Sequence, residues 1–338
     1  MKNLVLLTKQ TRNALINLRK GETKFGENIK LLPSLNNIYE DIQALDVDYV
    51  VFGIKEDIGV RANYGKKGCR KAWDVVLSSL LNTQSNGFIN AKRILILGHL
   101  DYQDYINEIE ELNNKKKQIP RLRKIVDEID KDVCYLVSTI VKAGKVPIII
   151  GGGHNNAYGN IKGSALASNS KINVVNLDAH TDFRSEEGRH SGNGFSYAYA
   201  EGFLKRYFIF GLHENYTSNT ILKTLNKIKD VKYNTFEAIE IQKKISFESE
   251  LINASNFIAN TPFGIEVDCD AIENMPSSAM TPSGFSMNQA RQFVHHFGSN
   301  KLATYLHICE AVPFKKSPVN VGKAISYLIT DFIKAHGH

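Results

Sequence analysis

The chain has 338 residues, of which 43% are hydrophobic, 23% charged and 9% aromatic. That balance excludes collagen, coiled coil and wholesale disorder, and the length is ample for a large core. The 42 basic against 35 acidic residues give +7, but the basic residues are spread along the chain. The densest run, Lys115-Lys116-Lys117, sits in a polar stretch, so no nucleic-acid partner is expected, and the excess positive charge suits an anionic small molecule.

The N-terminal apolar patch turns polar after Leu7 and has no small-residue cleavage site, unlike a secretory signal. Cys69, Cys134, Cys269 and Cys309 fall singly, without C-x-x-C spacing, and read as buried thiols in a reducing compartment. No run approaches the roughly 18 apolar residues of a membrane span. A soluble, cytoplasmic protein with no membrane partner is expected.

Short apolar runs rich in β-branched and aromatic residues occur at 49–54, 94–97, 146–150, 172–177, 207–210, 231–235, 263–267 and 304–308, giving eight candidate strands. Between them lie stretches of helical period. In 122–143 the residues Ile125, Ile129, Val133, Leu136, Val137, Ile140 and Val141 form one apolar face, and Gly144 supplies the stop. A second helix starts at Ser286, whose hydroxyl caps it while Gln289 answers three residues on. A third spans 324–333. The polar segment 101–121 reads as a surface excursion. Strands alternating with helices, several of them apolar throughout, predict an α/β fold: a three-layer α/β/α sandwich around an eight-stranded, mostly parallel sheet. No repeat or linker divides the chain, so one domain is expected over 1–338, with a core at about 49–333 and residues 1–48 packed on it as an extension.

Ligands collect at the carboxyl ends of parallel strands, and three of those ends carry metal-type donors. They are Gly151-Gly152-Gly153-His154, then Asp178-Ala179-His180-Thr181-Asp182, then Asp268-Cys269-Asp270. Extended backbone sends residues i, i+2 and i+4 to one side, so Asp178, His180 and Asp182 converge, as do Asp268 and Asp270. Four carboxylates packed together cannot all stay ionised without cations, and two divalent metals solve the problem. Oxygen-rich, thiolate-free ligation with imidazoles favours Mn²⁺ over Mg²⁺ or Ca²⁺. A pair of ions about 3.5 Å apart lowers the pKa of a shared water, which points to metal-assisted hydrolysis. Glu310 closes the eighth run and would overlook the same edge, where a carboxylate can pair with a cationic amidinium or guanidinium. The histidines His99, His213 and His307 lie near strand runs and read as lacking acidic partners, and His295-His296 lie on a helix; all read as structural.

GGGH, DAHTD and the Asp-x-Asp pair resemble the ureohydrolase or arginase family of binuclear manganese enzymes. The resemblance implies that His154, Asp178, Asp182 and Asp268 hold one manganese, and that Asp178, His180, Asp268 and Asp270 hold the other. It places Glu310 at the amidine end of an amino-acid-derived substrate, gives Asp182 the role of proton acceptor, and implies a homo-oligomer. Within the family the chain is most similar to formimidoylglutamase, through GGGH, Asp182-Phe183-Arg184 and the stretch from Glu56 to Gly65 that contains Arg61 and Asn63. N-formimidoylglutamate carries two carboxylates, and Arg61, Arg184 and Arg189 are candidates to pair with them.

Ser191-Gly192-Asn193 matches the family's substrate loop, with Ser191 and Asn193 as contacts. The proton-shuttle histidine expected two residues on is Phe195, and His190 is the candidate replacement. The family's S-x-D-x-D is Glu266-Val267-Asp268-Cys269-Asp270 here. Glu186 and Glu187 would also suit a cationic amino acid, which leaves arginase as the alternative. Beside these stand a zinc deacetylase of the same superfamily, disfavoured by the completed second site, and a catalytically silent member with a binding or regulatory role.

Overall fold

A computed structural model describes residues 1–112, 115–315 and 318–337, and of Lys115–117 only the backbone; the side chains of the lysine run thus lie outside the described part. Nine strands form one sheet: β1 (Leu4–Leu6), β2 (Tyr49–Lys55), β3 (Ile94–Asp101), β4 (Val146–Ile150), β5 (Ile172–Leu177), β6 (Leu204–Leu212), β7 (Val231–Thr235), β8 (Phe263–Asp268) and β9 (Ala303–Cys309). Their order is β1-β3-β2-β4-β9-β8-β5-β6-β7. All pairings are parallel except β1 on β3. The eight apolar runs are all strands, and the ninth strand is the short β1. Three residues are too few to show a period, and the partner lies in a strand about ninety positions away, so local pattern does not reveal it.

The strands β2, β4, β5 and β8 are buried almost throughout, as expected of a parallel sheet covered on both faces. One face packs the helices Ala72–Leu81, Phe247–Ile258, Met287–Gly298 and Pro318–Gly337 around Trp73, Phe210, Phe293 and Phe332. The other packs Lys115–Lys142 and Asn156–Ser168 around Ile129, Val137, Ile161 and Tyr207. The Ser286 cap forms as a capping box with Gln289. The long helix ends near Gly144, which has φ +74°. It begins earlier than its apolar face, running through Pro120, because the polar first turns carry no periodic signal.

Within the segment 101–121, read as a surface excursion, the helix Gln103–Glu111 buries Ile106 and Ile109 one turn apart and so packs on the core. Three cysteines are buried, while Cys134 is only half-buried, and all four are free thiols. No helix among the described residues is long and apolar enough to cross a membrane.

The arrangement that matters for chemistry is central. β4, β9, β8 and β5 are consecutive neighbours, so the residues that leave their carboxyl ends, Gly151, Glu310, Cys269 and Asp178, emerge side by side.

Gly98 tests the edge strand. It lies in β3 at φ +133°, and a Cβ there would fall 2.0 Å from the Val5 carbonyl oxygen of β1. Gly98→Ala is expected to displace β1 at a cost of about 1–3 kcal/mol. Amide hydrogen exchange at Leu4–Leu6 should rise while the amides of β8 and β9 stay protected; unchanged protection in β1 would contradict the pairing.

Candidate metal centre and its cavity

After β4 the chain turns through Gly151 and Gly152 at φ +86° and +70°, a left-handed backbone that glycine adopts at little cost. Glu56, just past β2, ties this loop down. Its Oε1 accepts from Gly153 N at 2.8 Å and Asn156 Nδ2 at 2.7 Å, and its Oε2 from Ile58 N at 2.6 Å and Gly59 N at 3.1 Å. His154 is thereby fixed over the sheet edge, with 1% of its surface exposed.

The acidic ligands converge, but not by extended backbone. β5 stops at Leu177, and Asp178 Oδ1 accepts from His180 N at 2.7 Å. β8 stops at Asp268, whose Oδ1 accepts from Asp270 N at 2.8 Å. Each carboxylate thus closes a tight turn on its own backbone two residues on, and the second turn continues into a 3₁₀ segment, Cys269–Ala271. Asp182 then bends back at φ +43°. The i, i+2 spacing works because the turns bring alternate residues together.

His154 Nδ1 lies 3.2 Å from Asp178 Oδ2, 2.9 Å from Asp182 Oδ2 and 3.1 Å from Asp268 Oδ2. His180 Nδ1 lies 3.1 Å from Asp270 Oδ2 and 3.6 Å from Asp178 Oδ1. Among the described residues three groups have donor atoms within 4.8 Å of one another: His154, Asp178, Asp182 and Asp268; Asp178, His180 and Asp270; and His154, Asp268 and Cys309. Asp178 belongs to the first two. Asp268 is absent from the group of His180 and Asp270, whereas the sequence resemblance implies that it serves both ions.

The donor set fits hard divalent cations. Buried His154 Nδ1 and Nε2 and Asp270 Oδ1 have no hydrogen-bond partner, and the donors of the two groups that share Asp178 are carboxylate oxygens and imidazole nitrogens. Charge also demands it. Burial pushes Asp182 up to about 6, and Asp178 beside it adds to the rise. Burial with Asp270 and Asp178 pushes Asp268 well above the ordinary carboxylate range. Burial opposes charging His180, but Asp270 and Asp178 push its pKa up.

Glu310 follows β9 at φ +62°, a strained conformation for a non-glycine residue. Its Oε1 accepts from His154 N at 3.0 Å and its Oε2 from Ser278 Oγ at 2.8 Å. Burial pushes its carboxyl up to about 8.

A cavity of about 790 Å³ opens above this floor, touching Asp182, Asp268, Asp270 and Glu310. Its walls include Asn63, Arg184, Glu186, Ser191 and Tyr216. Arg184 Nη1 donates to Asn63 Oδ1 at 2.6 Å, Asn63 Nδ2 donates to Ser191 Oγ at 3.3 Å, and Arg184 keeps 49% of its side chain exposed. Tyr216 stacks on His180 with ring centroids 5.6 Å apart.

Three candidate substrate residues lie elsewhere, as does His190. Arg61 is half-buried and off the cavity lining. Asn193 is buried, accepting from Arg189 Nη1 at 2.7 Å and His190 N at 3.0 Å. Arg189 is not free for a substrate. Its Nε donates to Asp130 Oδ2 at 2.8 Å, its Nη2 to the Asn155 carbonyl at 2.9 Å, and its guanidinium lies over the Tyr158 and Tyr197 rings. His190, the candidate proton shuttle, is fully buried outside the lining, with Nδ1 accepting from Gly192 N at 3.1 Å. Phe195 is buried behind the floor and meets the His154 ring edge-on at 5.2 Å.

Sequence reading missed Glu56 and misread His307. His307 has an acidic partner, Glu266, with Nδ1 2.5 Å from Glu266 Oε2. The pair sits directly across β8 and β9, a juxtaposition that only the strand register creates. His99 likewise lies 3.6 Å from Asp101, two residues away on the same face of β3.

Residues 47–332 match the family model described as the arginase family. The chain is 24% identical to a formimidoylglutamase of Streptococcus pyogenes over 277 residues, covering 78% of this chain and 77% of that one. Among solved structures it resembles a formiminoglutamase of Trypanosoma cruzi with Mn²⁺, at TM-score 0.72 and 18% identity, covering 93% and 98% of the two chains. It also resembles the formimidoylglutamase of Bacillus subtilis, at TM-score 0.73 and 17% identity over 95% and 94%. An agmatine ureohydrolase of Thermoplasma volcanium superposes at TM-score 0.66 with 19% identity over 90% and 92%.

Two measurements test the loop that carries Arg184 and Ser191. Asp130→Asn leaves the Arg189 cation buried without its carboxylate and is expected to cost about 3–5 kcal/mol in urea unfolding; a loss below about 1 kcal/mol would contradict the anchoring. Burial, with Arg184 and Arg123 nearby, holds His190 down at about 4 from an ordinary 6.5. The folded state thus refuses a proton that the unfolded chain accepts. Stability from neutral His190 is complete above about pH 6.5 and is lost as pH falls toward about 4. His190→Asn should flatten the urea midpoint across that window, and an unchanged slope would refute the assignment.

Proposed function

The chain belongs to the arginase family, and we propose that it is a hydrolase of linear amidines holding two Mn²⁺ per chain. Its proposed reaction is the cleavage of N-formimidoyl-L-glutamate to L-glutamate and formamide, a step of histidine degradation, carried out by a cytoplasmic homo-oligomer. The observation that carries this reading is the pair of overlapping donor groups sharing Asp178, set beneath a carboxylate, Glu310, at the floor of one cavity. The formimidoylglutamases among its relatives supply the choice of substrate.

His154, Asp178, Asp182 and Asp268 would hold one ion, and Asp178, His180, Asp268 and Asp270 the other. When bound, such ions supply Lewis acidity that makes water nucleophilic near neutral pH. Glu310 receives the cationic amidine. Both its oxygens are already oriented, by His154 N and Ser278 Oγ, so little freedom is lost when the substrate's N–H groups reach them. Asp182 borders the cavity with 12% of its side chain exposed. It takes the proton released by the attacking water and returns it to the departing nitrogen. Arg184, braced by Asn63, offers its exposed guanidinium to a substrate carboxylate, with Ser191 beside it as a hydroxyl contact. Arg61 and Asn193 act from behind this wall, and His190 holds its turn.

One observation favours a second reading. Glu186 lines the same cavity and would suit the cationic amino end of arginine or another guanidino acid.

The test is a panel of formimidoylglutamate, arginine, agmatine and guanidinobutyrate on Mn²⁺-loaded protein. Formimidoylglutamate is expected to lead in kcat/KM by at least about 100-fold, consistent with loss of a paired carboxylate costing about 3 kcal/mol. Arg184→Ala should lower kcat/KM for formimidoylglutamate by about 10–100-fold, mostly through KM. Preference for arginine would install the second reading. No turnover of any of the four would support a binding or regulatory protein instead.

A further inference from the structure

Behind His154, on the side away from the acidic ligands, lies a buried assembly that no step above uses. Three carboxylate oxygens at 2.9–3.2 Å crowd His154 Nδ1, making Nδ1 the nitrogen that faces the metal side. Nε2 points the other way, and Glu266 Oε2 lies 3.5 Å from it, at ion-pair distance without a formed hydrogen bond. That oxygen is also 2.5 Å from His307 Nδ1, while Glu266 Oε1 accepts from Tyr305 OH at 2.8 Å. His307 Nε2 in turn lies 3.4 Å from the carbonyl of Gly151, which opens the loop that carries His154. Glu266, His307 and Tyr305 are each 0% exposed. One anionic side chain thus meets three donor groups in a region closed to water, and the assembly touches the His154 loop at both its backbone and its ring.

We propose that Glu266 and His307 form a positioning dyad for His154. A carboxylate at Nε2 keeps the proton on that nitrogen, leaves the Nδ1 lone pair for a cation, and fixes the ring plane. His307 holds Glu266 in place, because the register that sets Glu266 opposite His307 lets a single carboxylate oxygen serve both imidazoles. Phe195 meets the ring edge-on, and the Cys309 sulfur lies within 4.8 Å of one of its nitrogens. The dyad serves the ion held by His154 and leaves the His180 and Asp270 group alone. This inference rests on the proposed binuclear site.

The test uses the full chain stripped of metal, titrated with Mn²⁺ and followed by calorimetry and by electron paramagnetic resonance. Glu266→Gln replaces an acceptor with an amide whose N–H₂ group opposes the donors around it. One of two Mn²⁺ affinities is expected to fall by about 10–100-fold, with the other within about 2-fold of the unaltered protein. His307→Asn, which keeps the Glu266 charge but removes its partner, should weaken the same site by a smaller factor. A merely structural role would move the thermal midpoint of the metal-free protein without separating the two affinities. Two unchanged affinities in both variants would overturn the dyad, as would equal weakening of both sites. If Glu266→Gln does not fold, His307→Asn and Tyr305→Phe decide by the same two criteria. Failure of the unaltered chain to bind two Mn²⁺ would instead remove the binuclear reading, and the dyad with it.

Discussion

Everything at the carboxyl edge of this sheet answers to one electrostatic constraint. Asp178, Asp182, Asp268 and Asp270 crowd around two imidazoles, and the buried members are nearly or wholly cut off from solvent. Like charges a few ångströms apart in such a place repel strongly, because burial leaves little solvent to screen them. The unfolded chain has no such problem, so the arrangement opposes folding unless positive charge is supplied. The topology delivers it regardless, because β4, β9, β8 and β5 lie side by side and empty their loops into one place. A cluster that is expensive in isolation and enforced by the fold makes sense as a receptor for cations.

The same constraint explains the unusual backbone around it. Asp182 and Glu310 both sit at positive φ, +43° and +62°, where side chains other than glycine are strained by about 1–3 kcal/mol each. Strain survives only where the surroundings over-determine it. Here the surroundings are buried hydrogen bonds: Glu56 on the glycine loop, Asn176 Nδ2 on Asp178 Oδ2 at 2.8 Å, and Tyr207 OH on the Thr181 carbonyl at 3.0 Å. These bonds come from β5, β6 and the residue just past β2, so the sheet holds the donor residues in place, and the loops add little freedom of their own.

What the sequence discloses follows from the range of the interactions involved. Most of the eight apolar runs are legible as strands because burial on both faces leaves a local, uninterrupted signature, while β7 at the edge is only partly buried. The ligand residues are legible because donor types at short spacing follow three of those runs. The reason they converge is not legible: Asp178 and Asp268 bend the chain through hydrogen bonds to the amides of His180 and Asp270, which spacing alone does not distinguish from extended backbone. Contacts set by register are more hidden still. Glu266 and His307 are 41 positions apart in sequence and 2.5 Å apart in space. Arg189 reads in the sequence as a candidate partner for a substrate carboxylate, yet the fold ties it to Asp130, 59 positions away.

The contrast between Arg184 and Arg189 shows how one short loop divides two tasks. Both are arginines within six residues, and both have polar partners, but burial separates them. Arg189 is 2% exposed, lies over the faces of two tyrosines and is bonded to a carboxylate, an amide oxygen and a carbonyl. Moving it would strand a charge in the interior, so its position is fixed. Arg184 keeps about half its surface in water and shares its charge with Asn63 and, at 3.6 Å, with Glu187. Such a contact is weak enough to exchange for a ligand. Glu187 is itself 3.1 Å from Arg123, so the acid beside Arg184 is partly neutralised from the other side. A rigid anchor at Arg189 and an available cation at Arg184 together leave the loop a free positive charge over the cavity without disturbing the acidic floor beneath it.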